Sequence, residues 1–457
     1  MLAAVCAAAG IAVTVPACAT LGADPPGLSR LLTGGVAADP CHPATALPVP
    51  PRLRGQFAAG SSVLTTTGGV FAAPGRIAAS RSVAACAAAA TAADQTWLGA
   101  GQIPGSTPAQ RQLATRALLD LKLAVRPDGA LLAGFTAGWE YTWPRDASFA
   151  AAALATAGHP QTALSILRFL QRVQPRDGVW AARYLPGGSG PVEDGRPAEL
   201  DASGWVPWAA WTWFTTASTT DPVHALAGLR QLWPMIRRAA DADVAALTGP
   251  DGLPEPAMDY WENSTGQSTI ETAAALLAGL RSATALAGQL GDHHAVTYWG
   301  AAAIRLGRAI AATFGRTGYQ RTPDGRGGYD TAVIFLAPPF APPDPAVRTA
   351  VVRTAARVRV ANGGMLPGSD WPGNPTIAWT PETAFFALYG YANNDTRQAD
   401  RTITWLAAHE TLTGTMPEQV NRLDQPVSVA PLAWTDALVL LSLEAEGHQL
   451  TAVPARQ

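Results

Sequence analysis

The stretch TIETAAALLAGLRSATALAGQL, residues 269–290, decides the fold that the sequence predicts. Leu276, Leu280, Ala283, Ala287 and Leu290 recur every three or four positions, which places them on one face of a helix. Such a stripe is typical of a helix that packs one side against other helices. The stretch therefore predicts a long helix in a helical protein core.

Helix-start signals recur on both sides of this stretch. Thr107 and Gln110 form a capping-box pattern around Pro108, and Asp or Thr followed by Pro recurs at 221–222, 344–345 and 380–381. Strand signals are few here, so residues 106–450 are predicted to be nearly all-α. The pattern fits an α/α toroid, a ring of paired helices, although a solenoid or a bundle would give the same periodicity. Further helices are predicted over residues 146–157, 160–173, 203–217, 222–247 (kinked at Pro234), 293–314, 345–359, 381–393, 396–409 and 431–446.

The first 105 residues have a different character. Residues 1–20 consist of an apolar run followed by small residues. This pattern predicts a signal peptide for export, although no Lys or Arg precedes the apolar run. The same residues loosely resemble a lipoprotein signal in which Cys18 carries a lipid anchor. An uncleaved membrane anchor is disfavoured because the run is short for a spanning helix. Residues 21–105 form an extension of uncertain fold, in which 61–67 and 69–72 read as short strands.

Composition and cysteine usage narrow the class of protein. Of 457 residues, 48% are hydrophobic and 14% charged, which is typical of a folded globular chain. The net charge of −2, without basic clusters, disfavours a nucleic-acid partner. No metal-binding or nucleotide-binding motif is present, so neither a metal nor a cofactor is expected. In an oxidising compartment Cys41 and Cys86 would form one disulfide, and the alternative is two unpaired buried thiols.

Four loops combine acidic residues with tryptophan or tyrosine: residues 138–148, 200–209, 258–266 and 416–437. Aromatic faces stack on the apolar faces of sugar rings, while carboxylates and guanidinium groups hydrogen-bond the hydroxyls. For any single loop, tryptophans that pack in the core beside helix-capping acids are the better explanation. Four such loops in one chain favour a saccharide site.

Three segments in these loops carry a family resemblance. Trp143-Pro144-Arg145-Asp146, Asp259-Tyr260-Trp261-Glu262, and Met416-Pro417-Glu418-Gln419 with the downstream Pro431-Leu432-Ala433-Trp434 follow one another in a familiar order. The stretch RALLDLKLAVRPDGALLAGFT, residues 116–136, adds a matching first barrel helix. Over about residues 106–447 the chain resembles the glucoamylase-like glycoside hydrolases, family 15, which include glucoamylases, glucodextranases and trehalase relatives.

The resemblance implies an (α/α)6 barrel and an inverting mechanism with two carboxyl groups. Glu262 would be the general acid that protonates the glycosidic oxygen, and Glu418 the general base that activates water. Arg145 and Asp146 match residues that grip sugar hydroxyls, although an Arg–Asp salt bridge that caps a helix is the alternative. Asp259 would contact the substrate directly or through another residue, and the alternative is an acid near the start of a helix.

The tryptophans and one departure bear on substrate binding. Trp143, Trp205, Trp261 and Trp434 are candidate platforms for a sugar ring, with simple packing as the alternative. Many relatives carry an Arg-Tyr pair where this chain reads GGMLPGSDW, residues 363–371. Asp370 and Trp371 could replace that pair, which would imply a different linkage or sugar.

These inferences predict a secreted or cell-envelope exo-hydrolase that releases glucose from α-glucans or α-glucosides. Its partner would be an oligo- or polysaccharide, with membrane contact only through a lipid on Cys18, and its oligomeric state stays open. A trehalase of the same family and a non-catalytic saccharide-binding protein on the same barrel are the alternatives. An unrelated helical toroid, such as a lyase or a cyclase, is disfavoured because the four loops contain no histidine and the chain has no acid-rich metal motif.

Overall fold

The computed structural model describes residues 34–249, 251–448 and 450–454. The predicted signal peptide, residues 1–20, and the predicted lipid site Cys18 lie outside the described residues.

The described part of the extension contains two small antiparallel sheets and a helix. Strands β1 (Val36–Asp39) and β2 (His42–Pro48) pair as a hairpin. Strands β3 (Gln56–Phe57), β4 (Leu64–Thr66), β5 (Gly69–Ala72) and β6 (Arg76–Ala78) form a four-stranded sheet in chain order. The strands read from residues 61–67 and 69–72 are thus present as β4, which is shorter than predicted, and β5.

Helix α1 (Arg81–Gly99) follows the sheet, and the sequence analysis missed it. Its alanine-rich sequence has high helix propensity, but the composition resembles that of the irregular segments around it. Cys86 in α1 forms a disulfide with Cys41 in the β1–β2 turn, with the two Cα atoms 4.9 Å apart. Lys122 Nζ also lies 2.6 Å from Asp94 Oδ1 in α1, so an ion pair joins the extension to the barrel.

The barrel that follows is built from eleven described α-helices. Their ends lie within three residues of the predicted ones, and Pro234 lies inside α6 without ending it. In chain order the helices are α2 (Pro108–Ala124), α3 (Pro144–Thr156), α4 (Pro160–Val173), α5 (Asp201–Thr220), α6 (Pro222–Ala246), α7 (Ile270–Leu290), α8 (His293–Thr313), α9 (Pro345–Val358), α10 (Thr380–Ala392), α11 (Thr396–Ala408) and α12 (Ala433–Glu446).

The inner ring closes on itself. Helices α3, α5 and α7 pack side by side, followed by a 3-10 helix (Thr331–Leu336), α10 and α12, and α12 returns to contact α3. The other six helices lie outside this ring. The fold is therefore an (α/α)6 barrel rather than a solenoid or an open bundle.

One inner position departs from the predicted helical pattern. The fourth inner element is the short 3-10 helix Thr331–Leu336 instead of an α-helix. Pro338 and Pro339 follow it closely, and proline cannot continue a helix because it lacks a backbone N–H and clashes with the preceding turn.

Small residues let the inner helices approach closely. All thirteen residues of α3 are buried, and six of them are alanine. Where α5 crosses α7, a Cβ atom added to Gly204 would lie 2.2 Å from the carbonyl oxygen of Ala275, so only glycine fits there. Helix α7 is also long and apolar enough, by length and composition, to cross a membrane, but 94% of that window is buried within the barrel.

Candidate active site

A cavity of about 200 Å³ opens at the end of the barrel where the inner helices begin. Six of the predicted site residues line it: Trp143, Arg145, Asp146, Glu262, Glu418 and Trp434. They come from three of the four acidic–aromatic loops. The fourth loop, residues 200–209, contributes no lining residue.

Arg145 and Asp146 lie in the first turn of α3, which begins at Pro144. Both side chains are about 95% buried. Arg145 Nη1 donates to Glu199 Oε2 at 2.6 Å and to Asp201 Oδ2 at 3.0 Å, so acidic groups behind the cavity wall hold the guanidinium group in place. Arg145 thus lines the cavity and takes part in a salt-bridge network, and its contact with sugar hydroxyls stays a prediction.

Asp146 faces the same cavity and lies close to Arg145, with 3.7 Å between Asp146 Oδ2 and Arg145 Nε. Burial raises the pKa of Asp146 to about 6, although the positive charge of Arg145 opposes that rise. The guanidinium group of Arg145 also lies 4.9 Å from the centre of the Trp434 ring, which orders that ring at the cavity wall.

Glu262 lies on a tight turn before α7. Its backbone N–H donates to the carbonyl oxygen of Asp259 at 2.7 Å, and its φ of 53° lies in the left-handed region, which is unfavourable for a residue with a side chain. Arg196 Nη1 pairs with the Glu262 carboxylate, and Arg196 Nε lies 3.2 Å from Asp194 Oδ2. A strained turn thus presents the predicted acid at the cavity, beside the guanidinium group of Arg196.

A buried ion-pair network supports this turn from below. Arg321 Nη2 donates to both oxygens of Asp259 at 2.8 Å, and Arg321 Nε lies 3.3 Å from Asp330 Oδ2. The guanidinium group also lies 3.9 Å from the centre of the Trp261 ring. Asp259 and Trp261 do not line the cavity, and their predicted contacts with a substrate stay predictions.

Glu418 also lines the cavity and is fixed by a small sheet. Strands β7 (Ala378–Trp379), β8 (Gln419–Val420) and β9 (Pro426–Val427) pair in that order. The Glu418 carbonyl accepts from Thr380 N–H at 2.9 Å, its own N–H donates to Val429 O at 2.8 Å, and its carboxylate accepts from Ser428 Oγ. The predicted base therefore has a fixed backbone and a hydrogen-bonded carboxylate.

Two further predictions need correction. Trp205 was a candidate platform, but it is fully buried beneath the cavity, where its ring packs 5.1 Å from that of Phe149 and 4.7 Å from that of Phe335. Asp370 was a candidate replacement for the missing Arg-Tyr pair, but its exposed carboxylate accepts from Ser369 Oγ and does not line the cavity. Trp371 alone of the proposed pair lines it, because its apolar ring packs inward.

Several lining residues were not predicted from the sequence. Trp139 lies within a quoted loop, but Arg183 and Arg196 lie on a segment without a motif. Glu382 follows a Thr-Pro helix start, where an acidic residue usually serves the helix N-terminus, so nothing marked it as a site residue. In the described residues no group of His, Cys, Asp and Glu side chains is arranged to hold a metal ion.

Comparisons with known proteins agree with this architecture. No protein-family model matches the chain. An uncharacterized glycosyl hydrolase of Methanocaldococcus jannaschii is 24% identical over 360 residues, which is 72% of this chain and 55% of that protein. The chain thus spans about half the length of this curated relative.

Solved structures match more completely. A glycosidase variant in complex with glucose superposes with a TM-score of 0.62 and 19% identity, over 76% of this chain and 100% of that chain. A bacterial glucoamylase complexed with acarbose superposes with a TM-score of 0.61 and 17% sequence identity, over 79% of this chain and 59% of that chain. The chain has the glucoamylase fold. The family 15 glucoamylase of Hypocrea jecorina superposes with a TM-score of 0.61 and 15% sequence identity. The match covers 76% of this chain and 74% of that chain. The resemblance seen in the motifs is confirmed in the fold, and the candidate site lies at the loop end of a glucoamylase-type barrel.

Proposed function

We propose that this protein is an exported, inverting glycoside hydrolase that releases glucose from the ends of α-glucans or from α-glucosides. The observation that supports this most is that Glu262 and Glu418 line one cavity from separate loops. Arg145, Asp146 and the ring of Trp434 line the same cavity, so hydroxyl-binding groups and an aromatic face lie beside the two carboxyl groups.

In the proposed reaction one carboxyl group acts as an acid and the other as a base. Glu262 gives its proton to the glycosidic oxygen as the bond to the anomeric carbon breaks. Glu418 takes a proton from a water molecule, and that water attacks the anomeric carbon from the opposite face, which inverts its configuration. Because Arg196 pairs with the Glu262 carboxylate, that carboxylate has to take up a proton before Glu262 can act as the acid.

The remaining lining residues position the sugar. Arg145 is held from behind by Glu199 and Asp201, so it offers a pre-oriented donor to a hydroxyl group. Asp146 accepts from a neighbouring hydroxyl. The rings of Trp143 and Trp434 cover the apolar faces of the substrate.

The experiment is sugar release from maltose, maltooligosaccharides, isomaltose, dextran and trehalose. Wild type is compared with Glu262→Gln and Glu418→Gln, and Glu140→Gln, an exposed acid from the loop before α3 that does not line the cavity, is the matched control. We expect both active-site variants to lose at least roughly 10²–10⁴-fold in rate and the control to keep it. NMR of the fresh product should show β-glucose.

The panel also separates the alternatives. Release from trehalose alone would favour a trehalase on the same barrel. Binding of these sugars without release from any of them would contradict the hydrolase proposal and favour a saccharide-binding protein.

A further inference from the structure

A fourth carboxyl group lines the cavity beside those of Asp146, Glu262 and Glu418, and it has no role in the reaction proposed above. Glu382 lies in the first turn of α10 and is 2% exposed. Among the described residues its Oε2 atom has no hydrogen-bond partner. A buried polar atom without a partner is costly, and an unpaired oxygen in a cavity wall can be satisfied by a group that binds in the cavity.

The backbone holds Glu382 next to the proposed base. Thr380, two residues earlier, donates its N–H to the Glu418 carbonyl at 2.9 Å and its hydroxyl group to the Pro417 carbonyl at 2.5 Å. These bonds tie the start of α10 to the segment that carries Glu418. Glu382 and Glu418 therefore line one cavity from two segments that are hydrogen-bonded to each other, and under the proposed function the sugar binds in that cavity.

We propose that Glu382 is a sugar-binding residue that determines specificity: its carboxyl group exchanges hydrogen bonds with a hydroxyl group of the ring held between Glu262 and Glu418. The inference rests on the proposed function for the class of ligand, a neutral sugar. Its own basis is the buried carboxyl oxygen in the cavity wall.

The charges around Glu382 determine which form of the carboxyl group binds. Glu418, Asp330 and Arg145 are charged groups close enough to act on it, and the phenol of Tyr260 is a further titratable neighbour. Burial raises the pKa of Glu382 to about 8, the negative charges of Glu418 and Asp330 add to that rise, and its own backbone N–H and Arg145 oppose it. At neutral pH the group is a carboxylic acid, which can donate one hydrogen bond and accept another. Above that pKa it loses its donor and adds negative charge beside Glu418.

The test is equilibrium binding of glucose, measured by NMR from pH 6 to pH 9.5. Glucose is the probe because its binding does not depend on turnover. If only the protonated form binds, wild type should bind glucose about tenfold more weakly at pH 9 than at pH 7. Glu382→Gln, which keeps a donor and an acceptor, should remove most of this weakening. Glu382→Ala should bind about tenfold more weakly at pH 7, and Gln at this position should rescue most of that loss.

Two further measurements separate binding from folding. Circular dichroism checks that each variant is folded, and Glu444→Gln is the control, because Glu444 is equally buried but lies outside the cavity. Single deoxy-glucoses identify the hydroxyl group involved: its removal should weaken binding to wild type and have little further effect on Glu382→Ala.

The inference is overturned if Glu382→Gln and wild type weaken equally with pH, or if Glu382→Ala binds glucose as wild type does. It is also overturned if wild type binds no glucose at all. Sugar release is measured separately, so a protein that binds glucose with the expected pH dependence and hydrolyses nothing would contradict the proposed function alone.

Discussion

Replacing Arg321 with Met should destabilise the barrel at the point where it supports Glu262. Arg321 is the shared cation of Asp259 and Asp330, which are both fully buried, at 2.8 Å and 3.3 Å. Met keeps most of the apolar length of the side chain, so the substitution removes mainly the charge and its hydrogen bonds.

The expected magnitude comes from the two acids that are left behind. Removal of one partner from a buried ion pair costs about 3–5 kcal/mol, because the other charge stays buried without compensation. Burial raises the pKa of Asp330 to about 7 and also raises that of Asp259, so both acids can take up protons once Arg321 is gone. We therefore expect a loss near the lower end, about 3 kcal/mol in the free energy of unfolding at pH 8, and a smaller loss at pH 5.

The assay is urea unfolding of wild type and variant at both pH values, with tryptophan fluorescence as the signal. Arg326→Met is the matched control, because Arg326 lies on the same loop, its side chain is 89% exposed, and it is 3.9 Å from Asp324. Such an exposed pair contributes little, so the control should stay within about 0.5 kcal/mol of wild type. A loss below about 1 kcal/mol in Arg321→Met, or a loss equal to that of Arg326→Met, would refute the structural role assigned to this network. Under the proposed function, sugar release should also fall in Arg321→Met, because the turn that presents Glu262 loses its support.

Two other perturbations test the buried acids and the extension. Burial alone raises the pKa of Glu444 from 4.5 to about 7. The folded protein therefore holds the Glu444 proton more tightly than the unfolded chain does. The stability that this gives is fully present below pH 4.5 and is lost as the pH rises through 7. Glu444→Gln should therefore narrow the difference in unfolding free energy between pH 5 and pH 8 by about 2–3 kcal/mol, and an unchanged difference in urea melts would contradict this assignment. The disulfide between Cys41 and Cys86 closes a segment of 45 residues. Replacing both with Ser should cost the extension about 4 kcal/mol by chain entropy, seen as earlier proteolysis of residues 34–99 on heating, and equal cleavage rates would count against it.

Local patterns were enough to predict most barrel elements. The stripe of Leu276, Leu280 and Leu290 and the repeated cap-then-proline starts depend only on neighbours within a few positions, so helix ends could be predicted to within three residues. The motifs around Arg145, Glu262 and Glu418 could be located for the same reason, since each is a short contiguous segment.

The tertiary structure decided what those segments do together. Trp205 and Trp434 look alike in sequence, yet one is buried in the core and the other lines the cavity, because burial depends on helices far away in the chain. Glu382 reads as an ordinary first-turn acid until the pairing of Thr380 with Glu418 brings it beside the site.

By itself, therefore, the sequence determined the barrel α-helices, their order and the residue types available for chemistry, because these depend on local propensity and periodicity, whereas α1 in the extension was not predicted. Ring closure, the 3-10 helix at the fourth inner position, the burial of Asp259 under its turn and the meeting of Glu262 with Glu418 depend on contacts between residues far apart in the chain. Periodicity carries no information about such contacts, so only the folded barrel decided them.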